Sequence, residues 1–147
     1  MKLSTRSRYG VRLLFELALN HKKGFMFLKE ISEKQDISEK YLSNIVVLLR
    51  SANLVVSARG AHGGYILAKN PSSITMKEVV DVLEGQPYLI ECIKNNNICK
   101  RYEFCPSQEL WKNLDKEISK FLESVTLQDL VDRYNKKTNK NALMFHI

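Results

Sequence analysis

Residues 28–67 read LKEISEKQDISEKYLSNIVVLLRSANLVVSARGAHGGYIL, and the spacing within them decides the fold. Leu28 and Ile31 begin a short helix that Asp36-Ile37 interrupts. Ser38 is placed to cap the next helix, because a hydroxyl there can accept from a first-turn N–H that has no partner inside the helix. Over that helix Tyr41, Leu42, Ile45, Leu48 and Leu49 recur as an apolar stripe, leaving Glu39, Lys40, Ser43 and Asn44 on or beside the other face. A short helix, a tight turn and a longer helix outline a helix-turn-helix. Two short strands follow, Leu54 to Ser57 and Tyr65 to Leu67, around the tip Ala58-Arg59-Gly60-Ala61-His62-Gly63-Gly64. Glycines admit positive φ and close backbone approach, and an Arg at such a tip suits a narrow, electronegative minor groove. A helix for the major groove beside a hairpin for the backbone or minor groove predicts a winged helix. A plain hairpin whose glycines only make the turn is the alternative, and the helix-turn-helix directly upstream argues against it.

Upstream, Ser4 reads as an N-cap, and Tyr9, Leu13, Leu14, Leu17 and Ala18 fall at helical spacing, so a first helix runs to about His21 and ends before Gly24. Its start carries Lys2, Arg6, Arg8 and Arg12. Downstream, Thr75 with Glu78 forms a capping box for a helix through about Leu83 that stops at Gly85. Residues 1–85 are thus expected to form a winged helix-turn-helix DNA-binding domain. Periodicity then lapses over 86–106, a polar stretch that holds every cysteine of the chain: Cys92, Cys99 and Cys105. It returns at Ser107, where Leu110, Trp111, Leu114, Ile118, Phe121, Leu122 and Val125 mark an amphipathic helix whose wide stripe needs a partner. Thr126 and Asp129 open a last short helix through Tyr134, which gives a dimerisation region over 107–135 and a flexible tail over 136–147. The fold class expected is mainly α with a small β-hairpin wing and a long dimerisation helix.

Composition agrees with this division. The chain has 147 residues, 44% of them apolar, which suffices for a core and excludes a disordered, collagen-like or disulfide-rich secreted class. No window of about 18 apolar residues exists, and the run Val11 to Leu19 is broken by Arg12 and Glu16, so the protein is expected to stay in the cytoplasm, away from membranes. Residues 1–68 hold eleven Lys/Arg against five Asp/Glu, whereas residues 69–147 hold twelve against eleven. Nearly all the excess positive charge therefore sits in the half with the helix-turn-helix, which suggests that this half meets a polyanion, solubility alone being the alternative.

Three cysteines at C-x6-C-x5-C in one loop admit a small set of chemistries. Structural zinc prefers short knuckles and four protein ligands, and neither is present in this pattern. An iron-sulfur cluster is larger and takes thiolates spread over a wrapping loop. A thiol switch, or unremarkable surface thiols, are the other readings.

Taken together, Met1-Lys2-Leu3-Ser4-Thr5 through Arg8-Tyr9-Gly10-Val11-Arg12, the helix entry Ile37-Ser38-Glu39-Lys40-Tyr41-Leu42, the wing Arg59-Gly60-Ala61-His62-Gly63-Gly64-Tyr65, the cysteine loop, and Leu110-Trp111 leading to Val125-Thr126-Leu127 resemble the IscR/NsrR/CymR family of bacterial winged-helix transcriptional regulators. The resemblance covers almost the whole chain. It implies a homodimer joined by the long helix through Leu110, Leu114, Ile118, Phe121 and Leu122, and a palindromic double-stranded DNA operator. It implies DNA contacts from Ser38, Lys40, Tyr41, Ser43 and Asn44 of the recognition helix, from Arg59, Gly60, His62, Gly63 and Gly64 of the wing, and from Lys2 and Arg6. It further implies an iron-sulfur cluster, 2Fe-2S ahead of 4Fe-4S, on Cys92, Cys99 and Cys105. The sequence departs from the family where a fourth ligand would stand: Gln108 occupies the position of a histidine in the IscR branch, and Arg8 that of an acidic residue in the NsrR branch. Glu91, Glu103, Glu109, a partner residue or solvent are the remaining candidates. Lys40 and Ser43 replace the IscR branch's serine and glutamate, which implies a different operator.

Function is thus expected to be operator binding controlled by a cluster in the Cys92–Cys105 loop. The CymR-like alternative is a cluster-free regulator controlled by thiol oxidation or by a regulatory partner protein. An iron-sulfur carrier would leave the basic half unexplained. An enzyme is disfavoured, because His21, His62 and His146 are scattered and no nucleophile-base pair or phosphate loop appears.

Overall fold

The hydroxyl of Ser4 accepts from the Ser7 N–H at 3.1 Å and opens α1 (Thr5–Leu19). The computed structural model describes residues 2–85 and 87–145; Met1, Gln86, His146 and Ile147, which include the first residue of the expected cysteine loop and the last two of the expected tail, lie outside the described residues. After α1 comes α2 (Leu28–Gln35), whose start is closed by Glu30 accepting from the Phe27 N–H at 2.8 Å. Asp36 ends it with a left-handed φ of 51°. Ser38 then caps α3 (Glu39–Ser51), accepting from the Tyr41 N–H at 3.2 Å.

The hairpin is built from β1 (Val55–Ala58) and β2 (Gly64–Leu67), antiparallel, with Val55 opposite Leu67 and Ala58 opposite Gly64. A third rung comes from outside it: Met26 and Tyr65 exchange backbone hydrogen bonds of 3.0 and 2.8 Å. The wing is thereby fastened to the segment that leads into α2. Thr75 caps α4 (Met76–Glu84), which ends at Gly85 with a φ of 78°. The chain then forms α5 (Glu91–Lys94), α6 (Gln108–Ser124) and α7 (Leu127–Phe145).

Leu13 and Leu14 of α1, Ile31 of α2, Leu42, Ile45 and Leu49 of α3, Leu54, and Val79 and Leu83 of α4 pack into one core at 1% exposure or less. Each such side chain contributes on the order of 1.5–3 kcal/mol by leaving water. Leu127 of α7 is as deeply buried. Its backbone N–H donates to Ile74 at 2.9 Å, and the Met76 N–H donates to Val125 at 2.8 Å, so the chain returns from α6 into the core of the N-terminal half.

Three expectations need correction. Tyr41 lies at the surface, 36% exposed, and Leu48 is half-buried; Val46 completes the buried stripe instead, because the helix turns its core face toward α1 and α4. The last helix does not stop at Tyr134: α7 continues to Phe145, and the described residues beyond Val131 are all exposed. The cysteine stretch is partly ordered locally, with α5 and 3-10 turns over Asn96–Ile98 and Tyr102–Phe104. Among the described residues no helix is long and apolar enough to cross a membrane.

Candidate functional site

The outer face of α3 presents Glu39, Lys40, Tyr41, Ser43 and Asn44 to solvent. Two of its hydroxyls already have local work: Ser38 caps the helix, and the Ser43 hydroxyl donates to the Glu39 carbonyl at 2.9 Å. Lys40 and Asn44 offer the long donor and the two-sided amide that read base edges. Tyr41 stands edge-on to Tyr9 of α1, ring centres 5.5 Å apart, which fixes the first turn of α3 against α1.

The wing tip carries Arg59, Gly60 and His62 in the open. Gly60 holds a φ of 102° and so makes the bend that a side chain would resist. Gly63 and Gly64 behave differently, since both are buried. A Cβ at Gly63 would lie 2.3 Å from the Ala58 carbonyl oxygen, and one at Gly64, whose φ is 120°, would lie 2.4 Å from that of Met26. These two glycines shape the hairpin root rather than present a surface. A cleft lined by Phe27, Lys29, Glu39, Ser43 and Tyr65 brings the wing root, at Tyr65, next to the start of α3. Sequence reasoning missed Phe27 and Lys29; the Glu30 cap was the local signal that a helix N-terminus opens there.

Arg6 is exposed on the first turn of α1. Lys2, also exposed, lines a hollow of about 200 Å³ together with Glu84 of α4, Tyr88, Leu89 and Ile118 of α6. Glu84 accepts from the Ser4 N–H at 2.8 Å, from the Ser4 hydroxyl at 2.7 Å and from the Ser7 hydroxyl. Burial pushes this carboxyl up, but the hydrogen bonds from Ser7 and Ser4, with the Arg6 charge nearby, outweigh it and hold the group below its ordinary value. Arg12, by contrast, is half-buried and engaged within the chain: its Nε donates to Gln35 Oε1 at 2.7 Å and its Nη2 to the Gln35 carbonyl.

Cys92 and Cys105 are half-buried and Cys99 is exposed, all as free thiols. Cys105 Sγ lies 3.2 Å from Ser107 Oγ. The Ser107 hydroxyl and N–H, the Gln108 N–H and the charge of Arg101 hold this thiol below its ordinary value. The structure does not bring the three sulfurs together. Among the described residues no group of three or more His, Cys, Asp or Glu side chains is placed to hold a metal ion.

The stripe of α6 divides. Ile118 and Leu122 are half-buried and line the same hollow against α4, while Leu110, Leu114 and Phe121 stay exposed, Phe121 at 63%. The helix uses one edge of its apolar face within the chain and leaves the other open.

A family profile described as "Rrf2: Iron-dependent Transcriptional regulator" matches residues 3–133. The HTH-type transcriptional regulator CymR of Bacillus subtilis is 38% identical over 147 residues, covering 100% of both chains. Among solved structures, CymR, the global cysteine regulator of B. subtilis, superposes with a TM-score of 0.77 at 37% identity over 90% of this chain and 98% of that one. IscR of T. potens superposes with a TM-score of 0.71 at 36% identity, over 91% and 88%. These similar proteins are transcriptional regulators and not enzymes.

Proposed function

The chain belongs to the Rrf2 family of transcriptional regulators, and from that premise we propose that it acts as a homodimer reading a palindromic double-stranded operator. Lys40, Tyr41 and Asn44 of α3 read base edges in the major groove. Arg59, with Gly60 and His62, reaches the adjacent minor groove or backbone, Ser38 and Ser43 border that surface, and Arg6 and Lys2 at the start of α1 add positive charge for phosphate contacts. One observation supports this reading: Glu39 and Ser43 on the exposed polar face of α3 line one cleft with Tyr65 at the wing root, so the two proposed readers are neighbours. Pairing through Leu110, Leu114 and Phe121 supplies the two-fold axis that a palindrome mirrors. Titrating operator and scrambled duplex with the parent and with Lys40→Ala and Asn44→Ala tests the assignment. Selective loss on the operator supports it, and unchanged operator affinity for both variants contradicts it.

Control is proposed to reside in the cysteine loop, which joins α4 of the DNA-binding half to α6. The present arrangement favours thiol chemistry, because Cys105 sits beside Ser107 and Arg101 in the partly exposed, polar setting that favours a thiolate. A partner protein acting on the loop belongs to the same cluster-free reading. The gathering of every cysteine into one loop, with a family profile described as iron-dependent, favours a second reading in which Cys92, Cys99 and Cys105 hold a 2Fe-2S cluster. That reading requires the loop to draw its three sulfurs together.

A further inference from the structure

Arg12 belongs to the basic half of the sequence, yet its half-buried guanidinium is spent on partners within the chain. Its Nε donates to Gln35 Oε1 at 2.7 Å, its Nη2 donates to the Gln35 carbonyl, and the Tyr9 ring centre lies 5.4 Å from its charge. Gln35 is the last residue of α2, so its carbonyl has no helical N–H ahead of it to accept from. A cation at that end also meets the negative pole of the helix. Gln35 in turn donates its side-chain amide to Glu16 of α1, a carboxylate residue only 6% exposed. Directly after Gln35 the chain makes the left-handed turn at Asp36 and enters α3 at Ser38. On the other side of the same guanidinium, Tyr9 braces Tyr41 in the first turn of α3.

We propose that Arg12 is a positioning residue for operator reading: it touches no phosphate, and through Gln35 and Tyr9 it sets the angle at which α3 enters the groove. The inference rests on the reading of α3 as the base-reading helix. A phosphate contact adds about one to the slope of log affinity against log salt, whereas a positioning residue adds nothing. It acts instead on the operator alone, because non-specific binding depends on charge and not on the register of α3 with the bases. A lysine does not replace Arg12 here, since the contact to Gln35 uses two donors of a planar fork.

The test measures Arg12→Ala, Arg12→Lys, Gln35→Ala and, as a control on α3, Lys40→Ala. Each is titrated across a series of salt concentrations with a palindromic duplex recovered from a random pool and with a scrambled duplex of equal composition. Arg12→Ala and Arg12→Lys are expected to lose about tenfold in operator affinity while keeping the parent's salt slope and its affinity for scrambled DNA. Gln35→Ala, although uncharged, should lose in the same direction, and adding it to Arg12→Ala should cost less than the sum of the two. A salt slope reduced by about one in the Arg12 variants, a parallel loss on scrambled DNA, or an Arg12→Lys that binds as the parent does would overturn the assignment. Should Arg12→Ala not fold, Arg12→Lys and Gln35→Ala decide the matter on the same readouts. A weakened Lys40→Ala beside unchanged Arg12 variants overturns the role of Arg12 alone. An unchanged Lys40→Ala beside weakened Arg12 variants overturns the α3 reading on which it rests.

Discussion

Ser4 donates twice to one carboxylate oxygen of Glu84, through its N–H at 2.8 Å and its hydroxyl at 2.7 Å, across a separation of 80 residues. The pair ties the N-terminus of α1, with Arg6 beside it, to the last residue of α4. The cysteine loop departs directly after Gly85, so this carboxylate lies between the proposed control element and the DNA-binding half. A movement at the root of the loop has a direct route to the start of α1.

Glu84→Gln should weaken that tie in a pH-dependent way. The folded-state carboxyl is held below its ordinary value of 4.5, so its contribution is present above that value and is lost as the pH falls through the lowered one. At neutral pH the variant should unfold at lower denaturant than the parent, and the gap should close below about pH 4.5. Denaturant unfolding at neutral and acid pH checks this, and a gap that widens toward acid would contradict it.

Arg59→Ala should weaken operator binding by about 1–3 kcal/mol, the worth of one good base contact, without changing stability, because the side chain is exposed at the wing tip. Titration at one fixed salt concentration reads the effect. Gly64→Ala should do the reverse first: its φ of 120° alone costs a side chain on the order of 1–3 kcal/mol, and the Met26 carbonyl lies in the way. A lowered melting temperature, with operator binding falling because the wing shifts, is the expected outcome.

Phe121→Asp should yield monomers in sedimentation equilibrium, since it puts a charge on the open edge of α6 while sparing Ile118 and Leu122 on the inner edge. The monomer should keep its helical content.

How much of this was legible in the sequence follows from how local each signal is. Ser4, Ser38 and Thr75 cap their helices within three residues, and those starts stand where the sequence put them. The glycine-rich wing is equally plain, although the roles of the glycines are not: Gly63 is held by Ala58 within the hairpin, and Gly64 by Met26, far away in the chain. The ties from Ser4 to Glu84 and from Arg12 to Gln35 leave no periodicity, because polar residues that pair across elements look like surface residues in a sequence. The sequence predicts that α7 stops at Tyr134, because the continuation to Phe145 buries nothing and so carries no apolar stripe. The cysteines were conspicuous as a group, but their spacing does not say whether the loop draws them together.

Iron and acid-labile sulfide, assayed on anaerobically purified protein, separate the two control chemistries. The cluster-free reading predicts neither element in stoichiometric amount, and operator affinity that changes when the free thiols are oxidised and recovers on reduction. Stoichiometric iron and sulfide lost together in a Cys92→Ala variant would establish the cluster in its place.

The central claim, a two-fold protein reading DNA through α3 and the wing, is tested most directly by selecting duplexes that the purified protein retains from a random pool. The account predicts a palindromic consensus with half-sites spaced by about one helical turn or a multiple of it. That consensus should weaken when Lys40→Ala or Arg59→Ala is used for the selection. A pool that shows no enriched sequence, or a consensus that survives both substitutions unchanged, would contradict it.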